Sequence, residues 1–278
     1  MLIKTSTNLL SDSTDKQVCP CHPVLQEGIK KLLIGLYTAA SELDAMSKNQ
    51  DIIARNLANA NTDGYKRCVC TFKTILLSAE AGVQDSTTPT VMGTTISTVA
   101  ADLTPGKLAF TGSDFDLAIK GEGFFTIQTD NGLMYTRRGR FILSPKQEII
   151  TPEGGQLLSN AGVLQLPPGG KKVHVDGTGI VSVDGANIGT LKITHFPDPN
   201  SLTQNGGCTF KSTAIGNIGE DAKDFEIAQG YIEKSNVDVV GEMIAMIANM
   251  RSYEMGYKAA TSMSNTLDGL IKLAAQAG

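Results

Sequence analysis

The chain has 278 residues, 41% hydrophobic and 19% charged, the composition of a folded protein long enough for one large domain or two ordinary ones. A net charge of −4 and a pI near 5.4 exclude the basic surplus of a dedicated nucleic-acid binder. No apolar run reaches the length of a bilayer span, so direct membrane insertion is not expected.

Residues 1–29 mix Ser, Thr, Asp and Lys without periodicity and carry a Cys19-Pro20-Cys21-His22 cluster, which reads as a flexible extension. No signal-peptide pattern opens the chain, so export would need a route without a cleaved signal. A hydrophobic stripe follows, with Leu36, Ala39, Leu43, Met46, Gln50, Ile53, Leu57 and Ala60 at alternating steps of three and four. Such steps keep one helix seam facing a partner. The stripe stops at Asn61-Thr62-Asp63-Gly64, where Gly64 suits a left-handed turn. Lys66 and Arg67 beyond it would complement the negative end of the helix dipole.

Residues 67–113 read as an extended connecting region and 114–234 as an all-β module. Phe124–Gln128 and Leu133–Thr136 flank a hairpin turn, and short strands recur at 141–143, 148–151, 172–175, 180–183 and 191–195. The polar, Gly-rich stretch from Pro197 to Asp224 reads as loop. Ser235-Asn236, with Asp238 in an acidic first turn, predicts the N-cap of a final helix over 235–278. That helix carries a second stripe: Met243, Met246, Met250, Tyr253, Tyr257, Ala260, Ser264, Leu267 and Ile271. Isolated helices of this length are marginal in water. The two stripes therefore lie on each other, closing a helical pair from the termini, or on neighbouring subunits. The fold class is α+β, with long N- and C-terminal helices (30–66 and 235–278) pairing as a coiled-coil-like inner domain around a central β domain.

Chemistry is hard to place. Five cysteines are an odd count, which fits a reduced compartment at synthesis better than a complete disulfide framework. Cys19, Cys21 and His22 could offer soft ligands to zinc, alone or with Cys68 and Cys70, but the C-x-C spacing is too tight and no second His is near. His174 and His195 fall on strands with no nucleophile arrangement around them. Gly121-Glu122-Gly123 precedes a strand and not a helix, which removes the phosphate-cradle geometry. Asp176-Gly177 and Asp184-Gly185 read as turns. No catalytic residue, cofactor or metal site is expected.

Three blocks carry a resemblance. They are Leu36–Ser41 through Asn56-Leu57-Ala58-Asn59-Ala60-Asn61-Thr62-Asp63-Gly64-Tyr65-Lys66, Phe115–Phe125 with Tyr135-Thr136-Arg137-Arg138-Gly139-Arg140-Phe141, and Gln229–Asp238 leading into Arg251-Ser252-Tyr253-Glu254-Met255. In this order they resemble the rod and hook group of bacterial flagellar axial proteins, over residues 36 to about 270. The resemblance implies a structural subunit of the basal-body rod, exported through the flagellar type III apparatus. It would polymerise with itself and other rod subunits into a hollow, periplasm-spanning shaft that transmits torque. It implies terminal helices that order on assembly, and because hook subunits are usually longer, the compact chain favours a rod subunit. The segment Asp102–Lys107 is closer to the proximal than to the distal rod type. The expected assembly interface is Leu36, Leu43, Met46, Ile53, Asn56, Leu57 and Asn59 with Met243, Met246, Met250, Tyr253, Tyr257 and Leu267. The alternatives are the hook subunit and a secreted β-domain protein with a metal-dependent activity borne by the Cys19–His22 extension. The residues preceding the first block, Arg55 where the family commonly has Asn, and Met250 where it has Gln are departures from the pattern.

Overall fold

The computed structural model describes residues 22–77, 91–169, 172–198, 202–206, 208–212 and 219–276. Helix α1 spans His22–Ala58 and helix α2 spans Val239–Gln276. The first begins earlier than the expected boundary at residue 30. No proline lies between Pro23 and Ala58, and Pro23 itself is tolerated in a first turn. Cys19 and Cys21 lie outside the described residues. No described helix is long and apolar enough to cross a membrane.

Between the helices the chain is β throughout. Strands β1 (Cys68–Leu77) and β2 (Val91–Ala101) form an antiparallel ribbon, bulged between Thr71 and Phe72. The ribbon lies on α1, where the Thr94 N–H donates to Ser41 Oγ at 3.1 Å. The body then runs through β3 (Leu108–Phe110), β4 (Leu117–Gly121), β5 (Phe124–Thr129), β6 (Gly132–Thr136), β7 (Ile142–Leu143), β8 (Ile149–Ile150), β9 (Gln156–Ser159) and β10 (Gly162–Val163). It continues with β11 (Val173–Val175), β12 (Ile180–Val183), β13 (Ala186–Thr190), β14 (Ile193–His195), β15 (Leu202–Gln204), β16 (Thr209–Ser212), β17 (Glu220–Asp221), β18 (Phe225–Gln229) and β19 (Tyr231–Glu233).

The main sheet has the order β15-β16-β6-β5-β9-β8-β7, with β14 also on β5. A second sheet is β11-β12-β13, and its β12–β13 turn places Asp184 and Gly185 at φ 49° and 89°, both positive as a two-residue hairpin of this type requires. One core joins them, with Phe125, Ile127, Leu157 and Val181 each at most 1% exposed. The stretch expected as loop after Pro197 adds the β15–β16 hairpin. It holds because Leu202 and Phe210 bury into a small cluster with Phe124 and Phe196. Two anchors in a Gly-rich segment leave no periodic signal.

Closure of the body decides where the helices go. Strand β18 pairs with β4 and β19 pairs with β3, all antiparallel, so the chain leaves the β body where it entered. Helix α2 therefore returns along α1. Along the pair, Asn56 meets Glu242, Asn49 meets Asn249, and a Cβ on Gly256 would lie 3.3 Å from Leu43. A Cβ on Gly35 would touch Met263. Descending numbers against ascending ones make the pair antiparallel.

Candidate assembly surface and its elbow

The turn after α1 is built by side chains of the Asn56–Lys66 segment. Asn56 is 1% exposed; its Nδ2 donates to the Cys68 carbonyl at 2.9 Å and its Oδ1 accepts from Cys68 N–H at 2.8 Å and Tyr65 hydroxyl at 3.1 Å. Asn56 belongs to the expected assembly interface, and within the chain its amide is engaged by Cys68 and Tyr65. Asn59 likewise turns back, its Nδ2 donating to the Arg55 carbonyl at 2.9 Å. Gly64 takes φ 70°, and a Cβ there would lie 2.4 Å from the Arg138 amide nitrogen, so glycine answers both the turn and the close approach of the β body.

Lys66 does not face the end of α1 as expected. Its ammonium, 1% exposed, donates to Glu233 Oε1 at 2.6 Å and to the Thr104 carbonyl at 2.8 Å. The Gly106 N–H also donates to Glu233 Oε1 at 2.8 Å, and Arg137 lies 3.5 Å from Glu233 Oε2. Burial pulls Lys66 and Arg137 below their ordinary pKa, and the Glu233 carboxylate works against that fall. Around this centre, Asp63 accepts from Lys234 at 2.8 Å and pairs with Arg140 at 3.0 Å. Arg67 pairs with Glu242 in the first turn of α2, and Asn236 Oδ1 accepts from the Arg67 N–H at 2.8 Å. The N-cap of α2 is Asp238, whose Oδ1 accepts from Val240 N–H at 3.2 Å; Ser235 makes only a local turn.

Beyond the elbow, the face of α2 toward α1 runs through Glu242, Asn249, Gly256 and Met263, one heptad apart. Polar and small residues dominate it. The expected seam is offset from this face. Met246 and Leu267 are half-buried, whereas Met243, Met250, Tyr253 and Tyr257 are exposed at 48%, 51%, 40% and 60%. Val240, Ile244 and Ile247 are exposed beside them. On α1, Ile53 is buried, and Leu36, Leu43, Met46 and Leu57 are half-buried. The sequence reading missed Glu233, Asn236, Glu242 and Asn249. A signal existed for two of them: Glu242 and Asn249 stand one heptad apart as the polar residues of the otherwise apolar or small stretch 239–250.

The remaining candidates are structural. His174 Nδ1 sits 3.2 Å from Gln229 Oε1, and Gly121 and Gly123 hold positive φ in a turn. Cys68, Cys70 and Cys208 are free thiols. Among the described residues no group of three His, Cys, Asp or Glu could hold a metal ion.

Comparison with known proteins gives three family models in chain order. Residues 36–66 match the flagella basal body rod protein model and 118–183 the flagellar hook protein FlgE/F/G D1 domain. Residues 228–273 match the C-terminal model of the flagellar basal body rod FlgEFG proteins. The flagellar basal-body rod protein FlgF of Caulobacter vibrioides is 32% identical over 240 residues, 84% of this chain and 93% of its own length. FlgG of Borreliella burgdorferi is 31% identical over 259 residues, 85% and 97% of the two chains. FlgG of Buchnera aphidicola subsp. Schizaphis graminum is 30% identical over 263 residues, 87% and 100%.

Proposed function

This chain belongs to the family of flagellar basal-body rod proteins, and from that premise we propose that its terminal helices pair in coiled-coil fashion and polymerise it into the rod. It is a structural protein of the flagellar basal body and not an enzyme. Its similarity to rod proteins favours the rod over the hook.

One observation carries the polymerisation reading. Helix α2 fills its inner face with small and polar residues and leaves Val240, Met243, Ile244, Ile247, Met250 and Tyr257 exposed, several by more than half. A row of large apolar side chains on one helix marks a surface meant to be covered. Met243 and Met250 suit a surface that must meet slightly different neighbours, because thioethers adapt their shape. The same contact repeated without closure gives a filament, here with self and other rod subunits as partners. In this reading the interface is the exposed α2 stripe with the flank of α1, the shaft is hollow, and subunits reach it through the flagellar type III apparatus. The proximal level rests on the Asp102–Lys107 segment alone.

The test is Ile247→Asp and Tyr257→Asp in cells lacking the native gene. Both chains should be exported and keep the β body, yet fail to enter purified basal bodies, and the cells should not swim. Normal swimming by both would refute the assembly role of this face.

A further inference from the structure

Among the described residues, the hydrogen bonds that join the two helices at Asn249 and Glu242 lie in the elbow half of the seam. Asn249 spends its whole amide on α1: Nδ2 donates to the Met46 carbonyl at 3.0 Å and to Gln50 Oε1 at 2.8 Å, and Oδ1 accepts from Asn49 Nδ2 at 3.0 Å. One heptad nearer the elbow, Glu242 accepts from Asn56 and Arg67. Farther out, Leu43 rests on Gly256 and Met263 on Gly35. Those contacts are apolar and one partner in each is a glycine. A shift of one helical turn would still place small against large, so burial alone barely distinguishes the two arrangements.

We infer that Asn249, with Asn49 and Gln50, is a positioning residue that sets the axial register of the helix pair. It thereby decides which large apolar side chains of α2 face a neighbouring copy, a consequence that rests on the assembly reading above. A displaced Asn249 would lose three bonds at a half-buried site, where an unpaired amide is costly. A single polar residue in a helical seam is the best-attested register device, and it lowers stability in exchange for uniqueness.

The experiment is disulfide trapping in the purified full-length chain, with bridges assigned by peptide mass mapping against the native cysteines. Leu43→Cys with Gly256→Cys reports the observed register; Leu43→Cys with Ala260→Cys reports a shift of one turn. Disulfide geometry tolerates little displacement, so the two pairs discriminate. In the wild-type background the first bridge should dominate. Asn249→Leu should lower the ratio of first to second by about tenfold while helical content is kept, consistent with the loss of several hydrogen bonds. A second variant, Asn49→Leu with Asn249→Leu, leaves neither of these two amides unpaired and should behave alike. An unchanged ratio in both variants overturns the inference. So does loss of the helices in both, since Asn249 would then be needed for pairing itself, and so does a wild-type background that bridges at neither pair. Trapping reads the free chain, so failure to polymerise would count against the assembly reading and leave the register result standing.

Discussion

Glu233 is where the elbow concentrates its charge. Its carboxylate, 1% exposed, serves the buried Lys66 ammonium, the Gly106 amide and Arg137 at once. Removing one partner of a buried pair leaves the other uncompensated, a loss of about 3–5 kcal/mol. Glu233→Gln should therefore lower the urea stability of the chain by that order. Breaking the exposed Lys48–Asp44 pair, whose side chains are 55% and 62% exposed, should change it by less than about 1 kcal/mol. Equal effects would mean that the elbow is not under the electrostatic control described. Cys208 gives a pH signature beside it. Desolvation pushes the thiol from 9.0 up to about 11, with Cys68 and Tyr65 moved the same way by burial. Below pH 9 the thiol is protonated in both folded and unfolded chains and its stabilisation is complete. As pH rises from 9 to about 11 the unfolded thiol ionises first, and on the order of 2–3 kcal/mol is lost. Lys66 opposes this trend, because its lowered pKa relieves a cost as pH rises. The stability difference between the native chain and Cys208→Ala isolates the thiol, and it should shrink across that window. A difference constant in pH would contradict the burial argument.

The helices show how far a stripe of apolar residues can be read. Steps of three and four correctly announced α1 and α2, because spacing alone fixes which residues share a face. They did not say which stripe meets the intrachain partner. The most apolar stripe of α2 was the natural choice, yet Gly256 and Asn249 occupy the paired face, and glycine and asparagine score poorly as seam residues. The β body was legible where turn chemistry was explicit, as at Thr129–Gly132. It was not where strands of two or three residues are held by one buried side chain, as at Leu202. The elbow was invisible because its partners are separated by more than 160 residues, from Lys66 to Glu233 and from Arg67 to Glu242. No local pattern carries such pairs. Gly256 supplies the prediction at this scale. A Cβ there would already meet Leu43 at 3.3 Å, so Gly256→Leu must prise the helices apart, at about 1–3 kcal/mol for an overpacked contact. The helical signal should melt earlier on heating while near-ultraviolet signals from the β body hold their midpoint. Unchanged melting would mean that the helices do not pack through this face.

At the scale of the whole chain, two bodies of unequal self-sufficiency are joined through one charged joint. The β body has a continuous core from Leu117 to Ile227, whereas α2 buries little beyond Glu242 and exposes most of its large apolar side chains. Segments with few buried contacts open locally at low free energy, and those with a dense core open only with global unfolding. The outer halves of both helices, roughly 30–45 and 255–273, should therefore exchange amide hydrogens quickly in the monomer. Residues around Phe125, Leu157 and Val181 should exchange slowest. Asn49 to Asn56 and Glu242 to Asn249 should fall between, because the polar clamp and the elbow hold them. Assembly would then supply the missing burial, at about 25 cal/mol per Å² of apolar surface, and offset the ordering cost of the outer turns. Purified basal bodies should accordingly show strong protection in the helical segments that exchange fast in the monomer, with little change in the β body. Uniform protection in the free chain would show the helix pair to be stable alone, and the apolar face of α2 would then be a rigid docking surface and not a segment that orders on joining the rod.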